Sequence, residues 1–389
     1  MTITRRGAER LASGHPWIYR SDVSSAGTAA AGDVVRIRDV RGRFQGMAHY
    51  SSSSEIALRL LSTQDRPVDR ALFQERLATA QSHRDRVVRN SNAYRLVFGE
   101  GDGLPALIVD RYAGWLVMQT LNQGMDRAQP MLVELLREMF PECGIIERNE
   151  SSVRKLEKLP LRSAVVFPSP IPQPPSPAVR MNGLSLTVDL LKGQKTGAFL
   201  DQRENYVAAA NWAKGHALDC FTYSGGFALH LARTCELVEA VDSSSEALAA
   251  ARHNATQNGL SNISFTAANV FDLLKGYDDA RRSFDTIVLD PPAFARGRAQ
   301  LEGALRGYKE INLRAMKLLR PGGVLVTCTC SHHVGEGTFL EMLAEAALDA
   351  HRRITILERR TQSADHPILL TVPETLYLKC LILLVDKAW

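Results

Sequence analysis

The sequence predicts an α/β chain: a mostly parallel sheet with helices on both faces, preceded by a small β-rich domain and a central α+β domain. Three observations lead there. From about residue 214, strand-like runs alternate with helical patterns, the pattern of a doubly wound sheet. Before residue 70, short alternating runs are broken by Gly and Ser clusters, as in a small antiparallel unit. A length of 389 residues gives room for two to three domains of ordinary size. The expected boundaries are 1–70, 71–178 and 179–389.

The first unit is expected to hold strands at 33–40, 44–50 and 56–61, with a turn at Arg41-Gly-Arg. Leu72, Leu77 and Val87 then recur at helical spacing over 68–90. Tyr94–Phe98, Leu107–Tyr112 and Trp115–Gln119 follow as strands, and 131–136 as a helix. Between Phe167 and Val179 six of thirteen residues are proline, which predicts a stiff connection or extended loop. The sheet beyond is built from 217–221, 237–242, 263–267, 284–290 and 323–328.

Composition excludes several classes. With 45% hydrophobic and 23% charged residues the chain is an ordinary globular one, neither fibrous nor disordered. Six cysteines with no C-x-x-C spacing suit neither a disulfide framework nor a zinc site, so reduced thiols in a cytoplasm and no metal are expected. No run approaches the roughly 18 apolar residues that span a bilayer, so neither a secreted nor a membrane protein is expected. The net charge is +5, yet residues 1–90 carry 15 Arg, no Lys and nine Asp+Glu. All the positive excess therefore lies in that segment. Arginine's fork suits phosphate, and a localised basic excess is a footprint of nucleic-acid contact as well as of a solvated surface.

In an open parallel sheet, ligands bind beyond the carboxyl ends of the strands. The first strand ends Asp219-Cys-Phe221-Thr-Tyr223-Ser-Gly225-Gly226, a glycine turn opening a helix and lacking the Gly-x-Gly-x-x-Gly of a dinucleotide cradle. The second ends at Asp242, where a carboxylate can accept from both hydroxyls of a ribose or cap the helix expected at Ser243. The fourth ends Asp290-Pro-Pro, a stiff turn holding its carboxylate at the rim. The fifth ends Cys328-Thr-Cys330-Ser-His332-His333. Period-two alternation puts both cysteines on one face, Cys330 nearer the loop. Cys328 is expected to be a packed strand residue.

This set resembles the class I S-adenosylmethionine-dependent methyltransferases. Gln194-Lys-Thr-Gly-Ala-Phe-Leu-Asp-Gln-Arg-Glu-Asn205, Phe221-Thr-Tyr-Ser-Gly-Gly-Phe, Asp290-Pro-Pro-Ala-Phe-Ala-Arg296 and Thr329-Cys-Ser narrow the likeness to the bacterial 23S rRNA cytosine-C5 methyltransferases. Arg10-Leu…Gly14-His-Pro-Trp-Ile-Tyr is similar to the start of that family's PUA module, and Phe98-Gly-Glu-Gly-Asp-Gly-Leu-Pro-Ala-Leu-Ile-Val-Asp110 to its central domain. The resemblance implies a PUA-like RNA-binding domain, a central domain and a Rossmann-like catalytic domain, with 23S rRNA or a large-subunit precursor as partner and a homodimer as one arrangement.

Carried over residue by residue, the resemblance places Lys195, Thr196, Phe199, Asp201, Gln202 and Tyr223 around the cofactor S-adenosylmethionine. It sets Asp219, Phe221, Gly225 and Gly226 at the methionine part, Asp242 and Ser243 at the ribose, and Asn269, Val270 and Phe271 at the adenine, with Asp290 nearby. Asn269 stands where the family usually has Asp, Tyr206 where it has Arg, and Arg296 and Arg298 where it has lysines. Arg5, Arg6, Arg10, His15, Arg296 and Arg298 are the RNA-binding candidates. The segment Asp365-His366-Pro367…Pro373-Glu374-Thr375-Leu-Tyr-Leu-Lys379 also matches the family, with no role evident beyond packing beside the site.

The chemistry explains a cysteine. C5 of cytosine is a weak nucleophile, and a thiolate adding at C6 makes an enamine whose C5 can attack a sulfonium methyl. Cys330 is the expected nucleophile, in an electropositive, partly exposed pocket, and Asp290 the group that protonates or hydrogen-bonds N3. Some related enzymes carry a second cysteine after the proline turn, where this chain has Ala293. The base removing the C5 proton stays open among Cys328, His332 and water. Two other readings are a guanine-nitrogen methyltransferase, which would not need Cys330, and a non-catalytic RNA-binding assembly factor. A nicotinamide dehydrogenase is disfavoured by the missing phosphate fingerprint.

Overall fold

The computed structural model describes residues 1–168, 176–295 and 297–388. They form two compact units: Met1–Arg180 with Val188–Ala198 and Ala364–Thr375, and Met181–Thr187 with Phe199–Ser363 and Leu376–Trp389. Most of the proline-rich stretch, residues 169–175, and Arg296 lie outside the described residues.

The first unit holds a six-stranded sheet and a five-stranded sheet. In Val34–Arg38, Val35 and Ile37 face the core while Val34, Arg36 and Arg38 face solvent, the alternation expected of a half-buried strand. Glu157, fully buried, ties the N-terminal sheet to the chain that follows: its carboxylate accepts from Ser51 Oγ at 2.7 Å and from Arg59 Nη1 at 3.0 Å. The helix expected at 68–90 spans Arg70–Val87, capped by Asp69. The helix expected at 131–136 is longer, Gln123–Met139, because Asn122 caps it at Met125 N and Pro130, a residue that reads as a boundary, sits inside it.

The second unit carries a seven-stranded sheet. Its strands are β1 (His216–Cys220), β2 (Leu237–Asp242), β3 (Ile263–Ala267), β4 (Phe284–Leu289), β5 (Leu319–Thr329), β6 (Arg352–Arg360) and β7 (Lys379–Lys387), in the order β3-β2-β1-β4-β5-β7-β6. The first five are parallel, as the alternation predicts. The five-strand reading missed β6 and β7, which are antiparallel to each other, with β7 antiparallel to β5. Helices α1 (Arg203–Trp212), α2 (Gly226–Leu231), α3 (Ser245–Gln257), α4 (Val270–Asp279), α5 (Leu301–Leu318) and α6 (Glu336–Asp349) complete it. β4 and residues 323–329 of β5 are almost continuously buried, as strands covered on both faces must be. Their side chains pack with Tyr308, Ile311, Phe339 and Leu343 of α5 and α6 in one core.

Candidate functional site

The carboxyl end of β1 is shaped by backbone strain. Phe221 and Tyr223 hold φ of +65° and +50°, and Gly225 follows at +90°. Two non-glycine residues in the left-handed region within one short loop are unusual, and such strain concentrates at functional sites. Asp219, fully buried beneath the loop, accepts from Thr222 Oγ1 at 2.6 Å and from Ala228 N at 2.9 Å through Oδ2. Its Oδ1 is buried with no hydrogen-bond partner. Burial, reinforced by the charges of Asp290 and Asp242, pushes the Asp219 carboxyl up to about 7. A buried acceptor without a donor is costly, and a cationic ligand would satisfy it.

Gly226 opens α2 under an aromatic ring: a Cβ there would lie 2.5 Å from Cζ and Oη of Tyr206. Tyr206, the residue replacing the usual Arg, donates to Phe199 O at 3.3 Å, meets Phe227 edge-on at 4.7 Å and stacks on His230 at 5.2 Å. It is a packing element of this rim.

Asp242 ends β2 half-buried. It accepts from Tyr223 N through Oδ2 and from Ser244 N through Oδ1, both at 2.9 Å. Helix α3 begins at Ser245 and is capped by Ser244, not by Asp242 as the helix-cap alternative supposed. The carboxylate is thus oriented by amides and keeps further acceptor capacity for hydroxyl donors. Ser243 beside it is exposed. Asn269 is exposed and caps α4, its Oδ1 accepting from Phe271 N at 2.9 Å, while Val270 is buried and Phe271 leans on Phe294 at 5.8 Å.

At the end of β4, Asp290 is half-buried and accepts at Oδ1 from Gln202 Nε2 at 2.9 Å. Gln202 Oε1 accepts from Asn205 Nδ2 at 2.7 Å, and Asn205 Oδ1 accepts from Arg360 Nε at 2.9 Å. This relay from β6 to the β4 rim was not anticipated. Its only trace in the sequence is the Gln202-x-x-Asn205 spacing, one turn at the start of α1. Asp201 accepts at Oδ2 from the Tyr377 hydroxyl at 2.7 Å, and Phe199 meets Tyr223 edge-on at 5.2 Å.

Beyond β5 the two cysteines part company. Cys328 is fully buried against Cys380 in the β5–β7 register, and burial pushes its thiol well above an ordinary one. Cys330 is partly exposed, and its neighbours are anchored: Thr329 Oγ1 donates to Tyr308 Oη at 2.9 Å, and Ser331 Oγ lies 3.4 Å from both Tyr308 Oη and Ala295 N. Phe294, in the Asp290-Pro-Pro-Ala-Phe loop, packs on Tyr308 at 4.6 Å and on Phe221 at 6.5 Å, linking the β1, β4 and β5 ends.

Lys195 and Thr196 belong to the first unit. There Thr196 Oγ1 donates to Asp110 at 2.6 Å and lies 2.9 Å from Tyr112 Oη. The segment with no assigned role packs in the same unit: Asp365 Oδ2 accepts from Arg95 N, its carbonyl accepts from Arg84 Nη2, and the His366 ring rests on Phe98. Glu374 lies 3.3 Å from His15 Nε2.

Of the basic candidates, Arg5 is well exposed and paired with Glu9, Arg6 pairs with Asp22 at 2.5 Å, and Arg10 lies over the Tyr19 ring. His15 is 8% exposed with both ring nitrogens engaged, so it offers little to a partner. Arg296 lies outside the described residues, and Arg298 is described by its backbone alone, a 3-10 turn. Among the described residues no cluster of His, Cys, Asp and Glu could hold a metal ion, and no helix is long and apolar enough to cross a membrane.

Residues 1–63 match a PUA-like domain, and residues 163–379 match an S-adenosylmethionine-dependent methyltransferase. A ribosomal RNA large subunit methyltransferase I from Shewanella amazonensis is 42% identical over 95% of this chain and 94% of that protein. The protein of the same name from Erwinia tasmaniensis is 40% identical over 97% of each. A solved structure described as a SAM-dependent methyltransferase from Streptococcus mutans shares the fold with a TM-score of 0.83 over 99% of each chain at 20% identity. A second, solved as a methyltransferase with SAH, reaches 0.84 over 99% of each chain, also at 20% identity.

Proposed function

The chain belongs to the S-adenosylmethionine-dependent methyltransferases, in the family of ribosomal RNA large subunit methyltransferase I, and on that footing we propose that it methylates C5 of a cytidine in 23S rRNA through a covalent bond from Cys330 Sγ to C6. The observation that carries the proposal is the divergence of the two cysteines: Cys328 is sealed in the core, whereas Cys330 is half-open at the sheet rim, one strand from Asp290.

The buried, partnerless Oδ1 of Asp219 fits the ammonium of the cofactor's methionine tail. Asp242 and Ser243 would take the ribose hydroxyls, and Asn269, Val270 and Phe271 the adenine. Phe199, Asp201, Gln202, Phe221, Tyr223, Gly225 and Gly226 would line the same ligand; Lys195 and Thr196, carried over with them by the resemblance, belong to the first unit. When bound, S-adenosylmethionine supplies an electrophilic methyl on a sulfonium.

Cys330 adds as thiolate to C6, and Asp290 gives N3 a proton or hydrogen bond, so that electron density moves to C5. After methyl transfer, loss of the C5 proton expels the Cys330 thiolate and restores the ring. Because C5 and C6 are stacked inside a helix, the cytidine must be unpaired or flipped out. The arginine-rich residues 1–90, with Arg5, Arg6, Arg10 and the arginines after the proline turn, would hold RNA through phosphate and shape. Such a substrate places the work in the cytoplasm.

The test is RNA carrying 5-fluorocytidine at the target, which cannot lose a C5 proton. Wild-type protein should form a denaturant-stable adduct that Cys330→Ala cannot, and Cys330→Ala should lose turnover while keeping cofactor affinity. Full activity in Cys330→Ala would eliminate the C5 mechanism and favour methylation of a guanine nitrogen. Mass spectrometry of rRNA fragments from cells with and without the gene then identifies the nucleotide.

A further inference from the structure

Lys379 opens β7 directly opposite Thr329 in the β5–β7 register. The residue is 7% exposed, and Nζ donates to two main-chain carbonyls, Ser331 O and Tyr377 O, each at 3.2 Å. Among the described residues no carboxylate pairs with it, and neutral carbonyls alone repay little of the cost of burying an ammonium. A buried cation bonded to the residue after Cys330 calls for a counter-charge at that loop.

We propose that the Lys379 ammonium is a positioning residue that pins the Cys330 loop through Ser331 O and supplies the positive charge that favours the Cys330 thiolate. The inference rests on Cys330 as the nucleophile.

The surroundings support the assignment. Cys330 and Lys379 interact electrostatically: burial lowers the Lys379 ammonium from its ordinary value, and the Cys330 and Glu336 charges oppose that shift. Tyr308, reaching in from α5, has its phenol pushed up by burial and supplies no charge. Glu336, at the start of α6, faces Arg359 at 3.7 Å. Asp290, at the β4 end, acts on Cys328 and would oppose a thiolate. His332 follows in the loop with its ring 5.7 Å from Tyr377. Lys379 is thus the buried cation among these groups, which is what a cysteine needs to titrate below an ordinary thiol.

The test is the pH dependence of Cys330 alkylation by iodoacetamide, followed by peptide mass spectrometry in the full-length protein. The variants are Lys379→Gln, which keeps a donor for the carbonyls without charge, Lys379→Met and Lys379→Arg. In Gln and Met the alkylation midpoint should rise by about one pH unit, the low end for losing an opposite charge. The rate at pH 7 should fall roughly tenfold with it, and Arg should restore the wild-type profile. The acidic limb of turnover should move upward in step, with S-adenosylmethionine affinity unchanged. A wild-type alkylation profile in Lys379→Gln overturns the proposal. If Cys330→Ala stays active, the nucleophile reading fails instead, whatever the alkylation shows.

Discussion

Gln202 holds Asp290 by a single hydrogen bond, Nε2 to Oδ1 at 2.9 Å, and its own amide is oriented by Asn205 at 2.7 Å. Because Asn205 is in turn held by Arg360 and donates to Thr361 O, the carboxyl assigned to N3 of the base is aligned from the far edge of the sheet.

Removing Asn205 should therefore act at a distance. Asn205→Ala leaves Gln202 free to rotate, and the loss of about one hydrogen bond, roughly 1 kcal/mol, predicts a turnover lowered five- to tenfold on RNA. Cofactor affinity, read by calorimetry, should change less than twofold. An equal loss in both would assign Asn205 to general packing.

Set against the cofactor's ammonium, Asp219 should make cofactor binding depend on pH. Its carboxyl is raised from 3.8 to about 7 by burial, so below pH 7 the folded protein holds a proton there, and a cationic ligand must displace it. Affinity for S-adenosylmethionine should rise by up to about tenfold per pH unit from about pH 5 to 7 and level off above. Calorimetry in buffers of different ionisation enthalpy should show proton release in that window. Asp219→Asn should bind more weakly and without the slope. The stability effect has the opposite sense: the unfolded chain ionises near 3.8 while the folded one keeps its proton, so this group costs the unliganded protein stability as pH climbs from about 4 to 7.

His230 sets an acid limit of its own. Burial depresses its imidazole from 6.5 to about 4, with Nδ1 2.7 Å from Gly226 O and Nε2 3.1 Å from Asn182 Nδ2. The amide donor makes Nε2 the acceptor and leaves the proton on Nδ1. A depressed folded value means stability fully present above pH 6.5 and lost as pH falls from 6.5 towards 4, up to a few kcal/mol. Asp219 opposes this over the same range, so the check is the difference in thermal midpoint between wild type and His230→Gln from about pH 7.5 to 4.5, which should change with a slope of about one proton. His49, lowered to about 4 in the first unit, adds a slope that this variant leaves in place.

The strand-end residues were legible because their signals are local. A carboxylate closing an apolar run, a Gly-Gly turn and an Asp-Pro-Pro turn each declare themselves within a few positions. The Gln202–Asp290 bond spans 88 residues and the Arg360–Asn205 bond 155, and no pattern within one element encodes such pairings. β7 escaped because its middle, residues 380–385, is one apolar run, whose period distinguishes neither strand nor helix. Lys379 stands at the start of that run, and its register opposite Thr329 brings it to the Cys330 loop.

The Ala364–Thr375 segment has a consequence for how the protein is made. The chain leaves the second unit after β6, contributes Asp365 to the first, and returns as β7. Arg84, fully buried, and Arg95 are synthesised 281 and 270 residues before the Asp365 groups that receive them. At about 5–20 residues per second, that interval is on the order of tens of seconds. Until then the two guanidiniums rest on Asp102 and Asp110, and the first unit gains its last segment only after most of the second unit's sheet has been made.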